Sequence, residues 1–216
     1  MARGKPGIWS SLLGIPFIAA GAWLYFGQLE YPPVVGLPFV SFGAFIIAIG
    51  VYVHVVSPSK PRMGDGEDII ASRHPTQRVA RVKIVLGMPL LAATVYLLYF
   101  TRVPYVYPTV ALVLGLYLFS VGLRTYWTNS LTTYFVTSNR IIKEYRLLSL
   151  SRQEIPREKI RAVKESKSVT ETLVGLGNVH VASGSGRSLE IGMQNMEKSE
   201  AFADEIRDLV STANSS

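Results

Sequence analysis

Through its first 125 residues the chain alternates long apolar runs with short polar breaks, and after that the period changes. Residues 8–26, 34–56, 84–100 and 106–123 contain no Asp, Glu, Lys or Arg. Each run approaches the roughly 20 apolar residues that a helix needs to cross a hydrocarbon core about 30 Å thick. The pattern predicts four transmembrane helices arranged as two hairpins. The third and fourth runs are the shortest, and Arg102, Tyr105, Tyr107 and Trp127 flank them as interfacial anchors. A signal peptide is the competing reading of the first run, with Arg3 and Lys5 ahead of it and Ala20-Gly21-Ala22 inside it. Against this, the apolar run continues through Trp23, Leu24, Tyr25 and Phe26, and a near copy of it lies deep in the chain.

That copy is LGMPLLAATVYLLY, starting at Leu86, set against LGIPFIAAGAWLYF, starting at Leu13; 6 of 14 aligned positions are identical. YPPV at Tyr31 and YPTV at Tyr107 open the second helix of each pair. A duplicated hairpin, two parallel copies about a pseudo-twofold axis along the membrane normal, accounts for the repetition. Helices in lipid associate through close approach at small residues. Gly14, Ala19, Ala20 and Gly21, mirrored by Gly87, Ala92 and Ala93, form the expected packing face, and Gly36, Gly43 and Gly50 recur at heptad spacing.

Charge orients the hairpins. Residues 1–125 carry ten Lys or Arg against four Asp or Glu, whereas residues 126–216 carry twelve against eleven, so most of the formal +7 is juxtamembrane. Arg3 and Lys5 precede the first span, Lys60, Arg62, Arg73, Arg78, Arg81 and Lys83 fill the loop between the second and third, and Arg124 follows the fourth. The positive-inside rule places that loop and both termini in the cytoplasm. The basic loop residues then lie at the anionic leaflet.

Within the loop, Asp65, Glu67 and Asp68 surround Gly64 and Gly66 without the ligand spacing or terminal Glu of a calcium loop. Ile69, Ile70 and Ala71 read as a short strand or an interfacial segment. The chain has no cysteine, which excludes disulfides, thiol catalysis and cysteine metal sites.

Beyond Trp127 the apolar runs give way to alternation. Strands are expected at 131–137, 140–147, 150–155, 160–168, 179–183 and 188–192, with tight turns at Ser138-Asn139 and Gly184-Ser185-Gly186. Ala203, Ile206, Leu209 and Val210, with Phe202, give a closing helix over 197–211 one apolar face, with Asn195 as its N-cap.

Here the residues carry a resemblance. YFVTSNRII, then LSRQEIPREKIRAVKESKSVTETLVGLGNVHVAS, then the terminal helix resemble, in that order, the prokaryotic pleckstrin-homology-like family in its membrane-attached form. The Gly-Glu-Asp-Ile-Ile to His-Pro segment resembles the stretch that precedes the domain in such proteins. The resemblance implies a seven-stranded, strongly bent β-barrel capped by a C-terminal helix, with no enzyme activity and no cofactor. The expected division is a first hairpin at 1–57, a basic cytoplasmic loop at 58–83, a second hairpin at 84–127 and the pleckstrin-homology-like domain at 128–216.

The long basic loop by which eukaryotic namesakes hold inositol phospholipids is absent, since only Ser138-Asn139 separates the first two strands of the hairpin. Residues 140–167 nevertheless hold nine basic against four acidic residues. Arg140, Lys143, Arg146, Arg157, Lys159 and Arg161 are the candidate face for anionic lipid or an acidic partner. Interleaved Glu144, Glu154, Glu158 and Glu165 disfavour nucleic acid, and Gly184 to Ser188 lacks the rest of a phosphate loop.

The functional expectation is a membrane-anchored, non-catalytic binding module or scaffold. Its expected partners are a protein or a second copy of the chain, and membrane lipid; no metal is expected. The alternative is a small oligomeric channel or transporter gated by the soluble domain, for which the spans offer only Ser10, Ser11, Ser41, Thr94, Thr109 and Ser120. A membrane enzyme would have to draw on His54, Asp65, Glu67, Asp68 and His74.

Overall fold

The computed structural model describes residues 5–27, 32–56, 66–147, 150–168, 171–172, 175–184 and 190–214. Lys60, Arg62 and Asp65, and most of the Gly184 to Ser188 turn, lie outside these. The chain divides into two compact units. One is Met1–Ser59 with Arg146–Ser149, and the other is Lys60–Tyr145 with Leu150–Ser216.

The first unit is a helical hairpin, α1 (Pro6–Phe26) and α2 (Gly36–Val55), entered through a short 3-10 turn at Pro33–Val35. Both helices are long and apolar enough to cross a membrane. Their side-chain distribution is inverted relative to a water-soluble pair. Large residues such as Ile8, Leu12, Ile15 and Phe26 are exposed, while Gly7, Gly14 and Gly21 of α1 and Gly36, Gly43 and Gly50 of α2 are buried. Both glycine sets recur every seven residues, which keeps each on one face of its helix. A Cβ on Gly14 would lie 2.7 Å from the Gly43 carbonyl oxygen, and one on Gly21 2.6 Å from that of Gly36. At the third level a Cβ on Gly50 would overlap the Ser10 side chain at 2.0 Å. Backbone meets backbone at the first two levels and a small side chain at the third, the kind of close approach that supplies dispersion contacts between apolar helices. Residues 146–149 belong to this unit, where the Tyr52 hydroxyl donates to the Leu147 carbonyl.

The second unit begins with β1 (Ile69–Arg73) and continues into the second apolar hairpin, α3 (Arg78–Phe100) and α4 (Val106–Leu131). The repeat reappears here as packing. Gly87, aligned with Gly14, would put a Cβ 3.0 Å from the Gly115 carbonyl, and Gly122 lies one heptad further on, against Ile84. Ala80 and Thr94, aligned with Gly7 and Gly21, are also buried. Of the seven residues expected on the packing face, Gly14, Gly21 and Gly87 pack within their own hairpins. Ala19, Ala20 and Ala92 face outward and Ala93 is half-buried.

At 26 residues α4 is about 39 Å long, longer than the roughly 30 Å of a bilayer core, and its last turns are polar. Its end is set by β-branched Thr132 and Thr133, whose side chains suit extended backbone. The chain passes there without a loop into β2 (Thr132–Thr137). β3 (Arg140–Arg146), β4 (Leu150–Pro156), β5 (Ile160–Ser166), β6 (Leu176–Ser183), β7 (Glu190–Glu197) and helix α5 (Ser199–Asn214) follow.

The strands form two antiparallel sheets, ordered β1-β2-β3-β4 and β5-β6-β7. Tyr134, Val136, Ile141 and Ile155 of the first sheet meet Val179, Val181, Ile191 and Met193 of the second in one core. Phe202, Ala203 and Ile206 of α5 complete it, as the helical spacing predicts.

Three expectations change. The sheets do not close into one barrel by backbone pairing. Instead side chains cross to β7, the Tyr134 hydroxyl accepting from Gln194 N at 3.2 Å and Lys143 Nζ donating to the Gly192 carbonyl at 3.0 Å. The 58–83 loop contributes β1, which pairs with β2 in the register Ser72 to Phe135 and Arg73 to Tyr134, so the sheet draws on residues outside 128–216. Asn195 does not cap α5. It lies in β7 at φ 55°, its carbonyl accepts from the Thr76 N–H, and its own N–H donates to Asn178 Oδ1.

Candidate functional site

Two features of the second unit bear on function. They are the joint between the hairpin and the sheets, and the charged face of the first sheet.

The joint is the short segment His74-Pro75-Thr76-Gln77 beside the last turns of α4. Side-chain and backbone hydrogen bonds link this segment to α4 and to β7. Gln77 Nε2 donates to Ser130 Oγ at 3.0 Å and to the Tyr126 carbonyl at 3.3 Å. Asn129 Nδ2 donates to the Thr76 carbonyl at 2.8 Å, and the Thr76 N–H to the Asn195 carbonyl at 2.9 Å. His74 Nδ1 shares a hydrogen bond with Thr133 Oγ1 at 3.2 Å. Two ion pairs add to these, Arg78 with Glu197 at 3.1 Å and Arg73 with Glu205 at 3.8 Å, and the Arg73 guanidinium lies 5.6 Å from the centre of the Phe202 ring. Arg73 and Arg78, placed at the bilayer by sequence, therefore pair instead with α5 and β7, Arg73 from the end of β1 and Arg78 from the start of α3. Arg81 is exposed and Lys83 half-buried on the first turns of α3.

The charged face is the side of the first sheet turned away from the core. In a strand, residues two apart share a face, and Thr137, Arg140, Glu144, Arg152 and Glu154 fall on this one. Arg140 Nε and Nη2 grip both oxygens of Glu67 at 2.9 and 2.8 Å, and its Nη1 reaches Glu154 at 2.8 Å. Arg152 donates from Nε and Nη2 to Glu144 Oε1 at 2.8 and 2.5 Å. Thr137 donates to Glu67 at 2.6 Å while accepting from the Arg140 N–H at 3.0 Å. Acid and base alternate from Glu67 to Glu144, and both end carboxylates are buried.

This arrangement separates the six residues proposed as a basic face. Arg140 is neutralised by Glu67 and Glu154. Lys143 turns toward the core, 6.0 Å from the Tyr134 ring centre, and burial pushes its amine below the usual lysine range. Burial likewise pushes the Tyr134 phenol up to about 12, against the opposing Gln194 N–H. Arg146 belongs to the first compact unit. Arg157 is half-buried, and Lys159 and Arg161 are exposed where the 3-10 turn Arg157–Lys159 enters β5. These three remain together as surface charge. On the helix side, the Ser199 hydroxyl at 2.5 Å holds the Glu165 carboxyl below its usual range, with Lys167 assisting.

Sequence reasoning missed Glu67, Thr76, Gln77 and Asn129 as structural partners. The signal was present in the Gly-Glu-Asp-Ile-Ile to His-Pro stretch, which carries part of the resemblance. Among the described residues no group of three His, Asp or Glu is placed to hold a metal ion.

Two sheets of four and three strands, packed with a C-terminal helix, accompany helices long and apolar enough to cross a membrane, an arrangement consistent with a pleckstrin-homology (PH) domain protein. The chain belongs to the bacterial PH domain family, whose sequence model matches residues 72–210. The match runs from within β1 through the second hairpin to α5, so it takes in the joint. The family is generally non-catalytic. Comparisons with curated proteins and with solved structures gave no match.

Proposed function

We propose that the chain is a multi-pass membrane protein that presents its PH domain on the cytoplasmic face, with both termini on that side, as a binding module without catalytic activity. The observation that carries this reading is the joint. α4 enters β2 without a loop, and Gln77, Asn129, Thr133 and Thr76 tie the two together, so the domain has a fixed height and orientation at the end of a membrane hairpin. A module held in this way suits recruitment of a protein partner to the membrane. Arg157, Lys159 and Arg161 supply positive surface for an acidic partner or for anionic headgroups. Self-association through the outward faces of the hairpins fits the same scaffold.

The test is extraction into lipid nanodiscs followed by native mass spectrometry, with an Arg157→Gln, Lys159→Gln, Arg161→Gln variant as control. A protein partner in fixed stoichiometry, or retained anionic lipid, that the variant loses is the expected result. A partner-free assembly indifferent to the substitutions overturns the reading and favours a pore.

A further inference from the structure

β1 is held in two halves by different contacts. Its register shifts between Ile69 and Ala71, as at a β-bulge, where pairing is interrupted and the strand bends. Beyond the shift, Ser72 and Arg73 pair with Phe135 and Tyr134, and Arg73 is secured by Glu205 and Phe202. Before it, Ile69 and Ile70 are 41% and 45% exposed, so little apolar burial keeps this half in place. What holds it is polar. Glu67 grips Arg140 through both oxygens and receives the Thr137 hydroxyl, with its side chain only 3% exposed. Asp68 exchanges bonds with Ser138, accepting at its carbonyl from the Ser138 N–H at 3.0 Å and donating to Ser138 Oγ at 3.4 Å. The family match begins at Ser72, on the far side of the shift.

A bidentate guanidinium, a hydroxyl donor and the backbone edge of β2 form a seat for a carboxylate followed by an extended strand. We propose that residues 67–70 are an internal ligand that closes this seat, and that an acidic, extended peptide segment of a protein partner takes it when the Glu67–Arg140 clasp opens. The bulge is the hinge, and the half beyond it stays paired. This rests on the binding-module reading above and adds the place and chemistry of the partner. Arg140 then takes part in recognition only when Glu67 has left it.

The test uses the full chain in nanodiscs. Amide hydrogen exchange is read at Ser138, whose N–H bonds Asp68, and at Thr76, whose N–H bonds Asn195 on the retained side. Glu67→Ala is expected to speed exchange at Ser138 at least about tenfold while Thr76 stays within about twofold. A labelled peptide of residues 66–70 is expected to bind Glu67→Ala and not the unaltered chain, and to lose binding when its own Glu is replaced by Gln. If Glu67→Ala does not assemble, Glu67→Gln serves in its place.

Unchanged exchange at Ser138 overturns the clasp, and so does equal acceleration at Thr76. Faster exchange without peptide binding overturns the internal-ligand assignment. None of these results touches the membrane-module reading, which stands or falls on its own copurification test.

Discussion

Asn129 and Thr76 are 53 residues apart in sequence, yet the Asn129 amide donates to the Thr76 carbonyl at 2.8 Å. The bond ties the last turns of α4 to the segment that opens α3, beside the point where α4 becomes β2. Replacing Asn129 by Ala leaves that carbonyl without its donor, at a cost of about 1–2 kcal/mol. Asn129→Ala is expected to lower the unfolding temperature of the protein in nanodiscs, and Gln77→Ala to add to the loss. Unfolding followed by tryptophan fluorescence checks this, with exposed Gln153→Ala as the neutral control.

The hairpin account predicts a sharp dependence on residue size. Gly14→Val and Gly43→Val insert atoms where backbone carbonyls already stand 2.7 and 2.6 Å from the Cβ position, and overpacking of this kind costs about 1–3 kcal/mol or more. Both variants are expected to lose the folded hairpin in detergent, read as reduced thermal stability. Ala19→Val, on the outward face, is expected to leave it intact. Equal effects at the three positions would contradict the glycine interface.

Arg140 behaves differently from an exposed cation. Its loss strands the Glu67 carboxylate, whose side chain is 3% exposed, and breaking a buried pair from one side costs about 3–5 kcal/mol. Arg140→Gln is therefore expected to destabilise the domain strongly in chemical denaturation. Arg161→Gln, at a surface position, is expected to change stability by less than about 0.5 kcal/mol.

Tyr134 gives the domain an alkaline limit. Its folded pKa, about 12, is raised above the ordinary value of 10.0, so the native state favours the neutral phenol. The contribution is fully present below pH 10 and is lost as pH rises toward about 12, a difference of about 2–3 kcal/mol. Lys143, whose folded pKa is depressed, contributes in the opposite sense, losing stability as pH falls below 10.5 toward its folded value. Tyr134→Phe is expected to reduce the alkaline loss by the Tyr134 share, as read from unfolding temperature across about pH 9 to 12.

Much of this fold is written locally. Uncharged runs mark the four helices, and alternation from Thr132 to Gly192 gives β2 to β7, because burial on one face is a property of each segment alone. The heptad glycines of α2 were equally visible. What escaped was non-local. Ile69 to Ala71 already read as a short strand or an interfacial segment, and only pairing with β2 decides between the two; charge counted along the chain cannot show that Glu67, 73 residues upstream, neutralises Arg140. Ala19 and Ala20 looked like packing residues because they are small. The helix turns them away from α2, which meets Gly14 and Gly21 instead. Asn195 suited an N-cap by residue type, but a positive φ inside β7 placed it beside Thr76.

The central claim is that the PH domain is seated rigidly on the second hairpin, and distance measurement between spin labels tests it most directly. The chain has no cysteine, so nitroxides at Met88→Cys on α3 and Gln153→Cys on β4 report that relationship alone. In nanodiscs the account predicts one narrow distance distribution, which broadens when Gln77→Ala and Asn129→Ala are combined. A distribution as broad in the unaltered joint as in the double variant would contradict it.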